Sequence, residues 1–186
     1  MSTAARANTG VTAQEFWERR DEFKGCELVD GEVVEVSPTK KRHGRSECRI
    51  AFELERHFDA MPESDADVVT GEVGYRLGEG VVRAADAAVH LHAMKEDDVD
   101  GWHAIAPDIV VEVVPPNDTW PNVERKIDDW HTLGVQEVWT ADPKHTRLKI
   151  RRLGKPCVTF DAEAKVETPL LPGFSVPTWR LFKRRR

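Results

Sequence analysis

Residues Ile109–Ala141 read IVVEVVPPNDTWPNVERKIDDWHTLGVQEVWTA. The segment opens on an apolar run, Ile109 to Val114, broken by a single charge at Glu112 and closed by Pro115 and Pro116. A run that is apolar on both alternations predicts a strand buried on both faces. From Pro121 to Leu133 the period changes, and Val123, Ile127, Trp130 and Leu133 fall on one helical face. Asn117, Asp118 or Thr119 can cap that helix, and Gly134 stands where a left-handed residue ends one. Val135 to Ala141 is strand-like again. Strand, helix and strand with short connections make a crossover, which predicts parallel pairing of the two strands.

Upstream, VVRAADAAVHL (Val81–Leu91) supplies another strand. Val68 to Leu77 precedes it, broken at Gly71, with Gly78 to Gly80 as the turn of a hairpin. Lys41 to Ala60 has helical spacing, with Ile50, Leu54 and Phe58 on one face and charges on the other. Asp30-Gly31 lies between two short alternating runs, which predicts hairpin strands near 26–29 and 32–37, stopped at Pro38. Thr12 and Glu15 have capping-box spacing, so a short helix is expected from there to about Glu22. Downstream, 147–153 and 157–160 read as a late hairpin, and LLPGFSVPTWRLF as an irregular tail with a short terminal turn. The expected fold is α/β (α+β): one domain over 1–186, a mixed central sheet flanked by helices, with 1–10 disordered.

The composition is that of a soluble globular chain, with 40% hydrophobic and 32% charged residues. No run approaches the roughly 20 apolar residues of a membrane span. MSTAARANTG lacks the apolar core of a secretory signal, so a cytoplasmic location is expected. Cys26, Cys48 and Cys157 are too few and too scattered for a disulfide framework or a CxxC zinc site. The net charge of −6 argues against indiscriminate nucleic-acid binding, but basic blocks stand at Lys40–Arg49, Lys144–Lys155 and Lys183–Arg186. Basic patches around an acidic site suit a nuclease, since phosphates need cations and a metal needs carboxylates. The plainer reading of each block is a solvated surface.

Three charges stand within or beside apolar patterns: Asp86, Glu112 and Lys126. By the two-residue period Asp86 shares a strand face with Ala88, His90 and His92, and Glu112 shares one with Asp108, Val110 and Val114. If the two carboxylates face each other across adjacent strands, one divalent cation relieves their repulsion, and hard oxygen ligands suit Mg²⁺. Lys126 flanks the buried helix face, so its amine can reach the pair and orient a water, or take its proton if burial lowers its pKa. Each residue has a structural alternative: Asp86 ending a β-bulge or bonding backbone amides, Glu112 pairing with an Arg of a neighbouring strand, Lys126 pairing along its own helix. Glu112 is the hardest to read that way, because a Glu within an apolar strand needs a partner.

ELVDGEVVEVSP, His43-Gly44, VRAADAAV, APDIVVEVVPPND, VERK, GVQEVWTADP and LPGFSVP, taken in that order, resemble the Uma family of restriction-endonuclease-like proteins, within the PD-(D/E)XK nuclease superfamily. The resemblance implies an αβββαβ core and a Mg²⁺-dependent phosphodiesterase site, with Mn²⁺ as a substitute. It maps the metal carboxylates to Asp86 and Glu112, the water-handling lysine to Lys126, and further site positions to Glu32 and His43. The sequence departs at Ala85, in place of proline before Asp86, and at Pro115-Pro116-Asn117, in place of Ser-Pro-Ser. Val114 stands where the superfamily carries its usual lysine.

The leading expectation is a metal-dependent endonuclease acting on DNA as a homodimer. The alternative is a nuclease fold without catalysis, serving as a binding or assembly module. A zinc hydrolase built on His90 and His92 is a third reading, without a clear further ligand.

Overall fold

A computed structural model of the protein describes residues 10–36, 38–93, 105–114 and 120–183. The elements run α1 (Ala13–Glu18), β1 (Cys26–Val29), β2 (Glu32–Glu35), α2 (Lys41–Asp59), β3 (Asp67–Gly78), β4 (Val81–His90), β5 (Ile109–Val113), α3 (Trp120–Leu133), β6 (Glu137–Asp142), β7 (Arg147–Arg152), β8 (Val158–Phe160), β9 (Lys165–Val166) and β10 (Val176–Pro177), then a 3-10 turn at Thr178–Leu181. The expected helix-cap residues 117–119, the prolines after β5 and the disorder of residues 1–9 lie outside the described residues, and Gly10 itself packs against Gly31.

The main sheet has the order β2-β1-β4-β5-β6-β7-β8, with β3 also paired to β4. It is mixed: β5 and β6 are parallel, as the crossover requires, and the other pairs are antiparallel. From α2 to β6 the order is αβββαβ, the core that the resemblance implied.

Local chemistry accounts for the element ends. Thr12 and Glu15 close the capping box of α1, which ends at Glu18, earlier than expected. Asp30 and Gly31 turn the β1–β2 hairpin at φ 51° and 82°, the doubly positive pair of a type I′ turn. Gly134 leaves α3 at φ 107°, open to glycine without strain.

The two sheet faces are covered by different helices. Ile50, Leu54 and Phe58 of α2 pack with Ala87, Val89, Val111, Val113 and Trp139. The tail joins that layer through Leu171, Phe174 and Leu181. Val123, Ile127 and Trp130 of α3 pack on the other face, against Tyr75, Ala88, Val110 and Val138. Every residue of β5 is buried, Glu112 included. Among the described residues, no helix is long and apolar enough to cross a membrane.

Candidate active site

The site lies where β4 changes partners. Its one edge is covered by β3 along its length. The other edge is shared: β1 joins at Leu28↔Val82, and β5 from Ala87↔Val111 to Val89↔Ile109. Between these contacts side chains replace the ladder. The Ala84 N–H donates to Glu27 Oε1 at 3.3 Å, and the Val113 N–H donates to Asp86 Oδ2 at 2.6 Å. One step beyond Ala87↔Val111, the register sets Asp86 opposite Glu112. On the β3 side the register shifts between Thr70 and Val73, so that Gly71 and Glu72 stand against Asp86 alone. That is a bulge, which bends a strand and re-aims its side chains.

Four of the expected residues meet at this gap. His43, in the first turn of α2, approaches Asp86 Oδ1 through Nε2 at 2.9 Å. Glu112 accepts the Trp130 indole N–H on Oε1 at 2.7 Å, and its Oε2 lies 3.6 Å from the Lys126 ammonium. Lys126 also donates to Glu27 Oε1 at 3.2 Å. Glu27 Oε2 accepts from Arg83 at 2.8 Å, and Arg83 reaches on to Asp129 at 2.9 and 2.7 Å. This chain of charges ties β1, β4 and α3 together and fixes the turn of α3 that presents Lys126, three residues before Asp129.

Burial governs the protonation of the site. Loss of water pushes the Glu112 carboxyl up, and the charges of Asp86 and Glu27 add to this. Lys126 and the Trp130 hydrogen bond work against the rise, and the carboxyl titrates at about 7. The Lys126 amine is also raised, chiefly by the Glu112 charge and further by Glu27, against the opposing effect of burial. An ion pair alone would lower the acid; here desolvation of Glu112 outweighs its partner. Of the two roles expected for Lys126, orienting a water or taking its proton after burial lowers the pKa, the direction of this shift favours the first. His43 is pulled down by burial but raised overall by the hydrogen bond and charge of Asp86, with Glu47 and Glu112 assisting.

Glu32 is placed differently from the other four. It is exposed on the edge strand β2, opposite Val29, and the acid that this hairpin brings to the site is Glu27. The structural alternative for Asp86 holds in part, since it does bond a backbone amide. Lys126 does not pair with Asp129, which is held by Arg83. His90 is buried against the Tyr75 hydroxyl at 3.1 Å while His92 is exposed, so these two do not assemble the zinc set considered from sequence. Glu27, Arg83, Asp129 and Glu47 were not read from sequence as site residues. Arg83 carried a signal, a second charge within the apolar β4 run; Glu27 carried none, because its burial depends on β1 meeting β4.

No curated protein matches the sequence of this chain. Among solved structures it is similar to one from Anabaena variabilis ATCC 29413, titled a "putative nuclease belonging to DUF820". The TM-score is 0.77 at 20% identity, over 92% of this chain and 97% of that one. At that identity the likeness establishes the shared fold. The Uma2 family, described as "Putative restriction endonuclease", matches residues 13–179. That match takes in every element from α1 through the start of the terminal turn, and the chain belongs to the Uma2 family.

Proposed function

We propose that the protein is a metal-dependent endonuclease that hydrolyses phosphodiester bonds in DNA at Asp86, Glu112 and Lys126. The observation that carries this reading is Glu112. It is a carboxyl buried in the central strand, opposite Asp86, with one ammonium 3.6 Å away and its pKa pushed up by burial. Such a group is short of positive charge, and a divalent cation is the partner that two neighbouring carboxylates would take. The family description and the nuclease title of the Anabaena protein agree with this reading.

Asp86 and Glu112 would hold Mg²⁺, with Mn²⁺ as a substitute. The bound ion would supply Lewis-acid polarisation of the phosphate and a more acidic water. The chain's own residues do the rest. Trp130 fixes one oxygen of Glu112, and the Val113 N–H fixes one oxygen of Asp86, so neither carboxylate has to reorganise. Lys126, held as an ammonium, orients the attacking water and donates to the phosphate oxygen on which charge builds. Lys40, Lys41, Arg42 and Arg45 are exposed around the start of α2, next to His43, and form no ion pairs among the described residues. They suit the phosphate backbone. In the second basic block, by contrast, Arg147, Arg151 and Arg152 are already paired with Asp161, Glu124 and Glu137. Cutting both strands with one site per chain calls for a homodimer.

The competing reading is a non-catalytic module on the same fold, favoured by the net charge of −6 and by Val114 in place of the usual lysine. A Mg²⁺-dependent cleavage assay on mixed DNA and RNA, with Glu112→Gln as control, separates the two. Cleavage of DNA by the parent protein and not by the variant supports the nuclease. No cleavage by the parent, or equal cleavage by both, supports the module.

A further inference from the structure

We propose that an unpaired nucleotide beside the scissile phosphate stacks its base on Trp120 while Lys149 takes its phosphate, so that the preferred substrate is DNA with a single-stranded stretch next to the cut. The inference rests on the nuclease reading of Asp86, Glu112 and Lys126 and adds a binding platform outside that set.

Three observations carry it. Trp120 is 53% exposed, whereas Trp130 and Trp139 are fully buried, so its ring is not spent on the core and offers a π surface that any base can use. The Lys149 ammonium lies 4.1 Å from the centre of that ring and has no carboxylate partner among the described residues. Its neighbours on β7 differ: Arg147, Arg151 and Arg152 are each paired with an acid. A cation seated on an aromatic ring and not neutralised is available to a phosphate. The platform is also in line with the site. Pairing runs from Glu112 to Thr140 to Lys149 across β5, β6 and β7, and directly paired residues share a face of the sheet. Two strand spacings of about 4.8 Å put Lys149 about 10 Å from Glu112.

The placement follows from how α3 crosses β7. Trp120 and Glu124 are one turn apart and share a side of α3. Lys149 and Arg151 are two residues apart and share a face of β7. Arg151 donates to Glu124, and with that rung closed Trp120 rests against Lys149. The ring is set about 9 Å along α3 from Lys126, at 1.5 Å per residue. A base stacked within a duplex has both faces covered by its neighbours, so only an unpaired or splayed-out base can use the ring.

Fluorescence anisotropy of labelled DNA with the full-length protein, at low salt in a chelator so that no strand is cut, tests this. The probes are a blunt duplex and the same duplex with a single-stranded tail at its 5′ or its 3′ end. The parent protein is expected to bind one tailed form roughly tenfold or more tighter than the blunt form. Trp120→Ala removes that preference and Trp120→Phe retains most of it, with the thermal midpoint unchanged in both because the ring is exposed. Lys149→Gln weakens binding to every form and reduces the salt slope by about 1. Equal or undetectable binding of tailed and blunt DNA by the parent overturns the platform, and so does a preference that survives Trp120→Ala. Glu112-dependent cleavage in Mg²⁺ by the same preparation then leaves the nuclease reading standing, and absence of cleavage overturns both. A Trp120-dependent preference without cleavage supports the platform and overturns the nuclease reading.

Discussion

Adjacent strands β5 and β6 each bury a glutamate, and the two are held very differently. Glu137 on β6 has no exposed surface and is surrounded by donors: the Trp139 indole at 2.8 Å, Arg152 at 2.5 Å and the Thr168 hydroxyl. Glu112 on β5 has the Trp130 indole on one oxygen, a more distant Lys126 on the other, and the charges of Asp86 and Glu27 pressing on it. The fold supplies Glu137 with all the positive character a buried carboxylate needs. It leaves Glu112 short. Burial of an acid does not by itself mark a functional group; what marks it is a deficit of compensation that something outside the chain can fill.

The two glutamates should therefore fail in opposite ways. Glu112→Gln is expected to lower DNA cleavage by about a thousandfold or more, as loss of a metal carboxylate does, while leaving thermal stability unchanged or raised. Glu137→Ala is expected to lower stability by about 3–5 kcal/mol in urea unfolding, because Arg152 is left without its buried partner. If Glu112→Gln unfolds the protein, or Glu137→Ala does not destabilise it, the distinction fails.

Lys126→Gln sharpens the functional half. Loss of an ammonium that acts on the developing charge should reduce kcat by roughly 10²–10³ with little change in Mg²⁺ affinity. Single-turnover cleavage and a metal titration on the same variant give both quantities.

The clamp behind Lys126 provides a smaller and more graded effect. Arg83→Lys keeps a charge between Glu27 and Asp129 but cannot make the same forked contacts. It should lower kcat about tenfold through misplacement of α3, with KM little changed. Glu27→Gln should act in the same direction. If Arg83→Lys affected stability alone, the clamp would serve the fold and not the lysine.

The mildest test is the pH dependence of stability in the metal-free protein. The folded Glu112 carboxyl titrates at about 7, above its ordinary value of 4.5. The folded state therefore holds this proton more tightly than the unfolded chain does. The extra stability is full below the unfolded value and is lost as pH rises through about 7. Urea unfolding in the presence of a chelator should show stability declining across that window, and Glu112→Gln should flatten the decline.

Much of this site was legible before any coordinates. The βαβ crossover was read from Ile109–Ala141 because a doubly buried strand, a helix face and its glycine end each leave a local signature. Asp30-Gly31 fixed its hairpin for the same reason. Glu112 stood out because a charge in a continuous apolar run has few bland explanations. Glu27 was not legible: in CELVDGEVV it reads as an ordinary hairpin position, and its burial follows from the single contact of β1 with β4. Glu47 was hidden likewise, since its spacing from His43 on α2 says nothing about what the two face, and His43 itself was marked by the family resemblance alone. Sequence leaves both roles of Lys126 open because it shows the burial of an amine more readily than the acids around it, whose charges favour the ammonium.

The most direct test of the central claim is a carbon-13 NMR titration of the glutamate side-chain carboxyls in metal-free protein, with Glu112→Gln to assign the signal. The account predicts one carboxyl titrating near 7, absent in the variant, and driven to markedly lower pH by saturating Mg²⁺. A Glu112 carboxyl with an ordinary titration, or one that Mg²⁺ does not move, would contradict it.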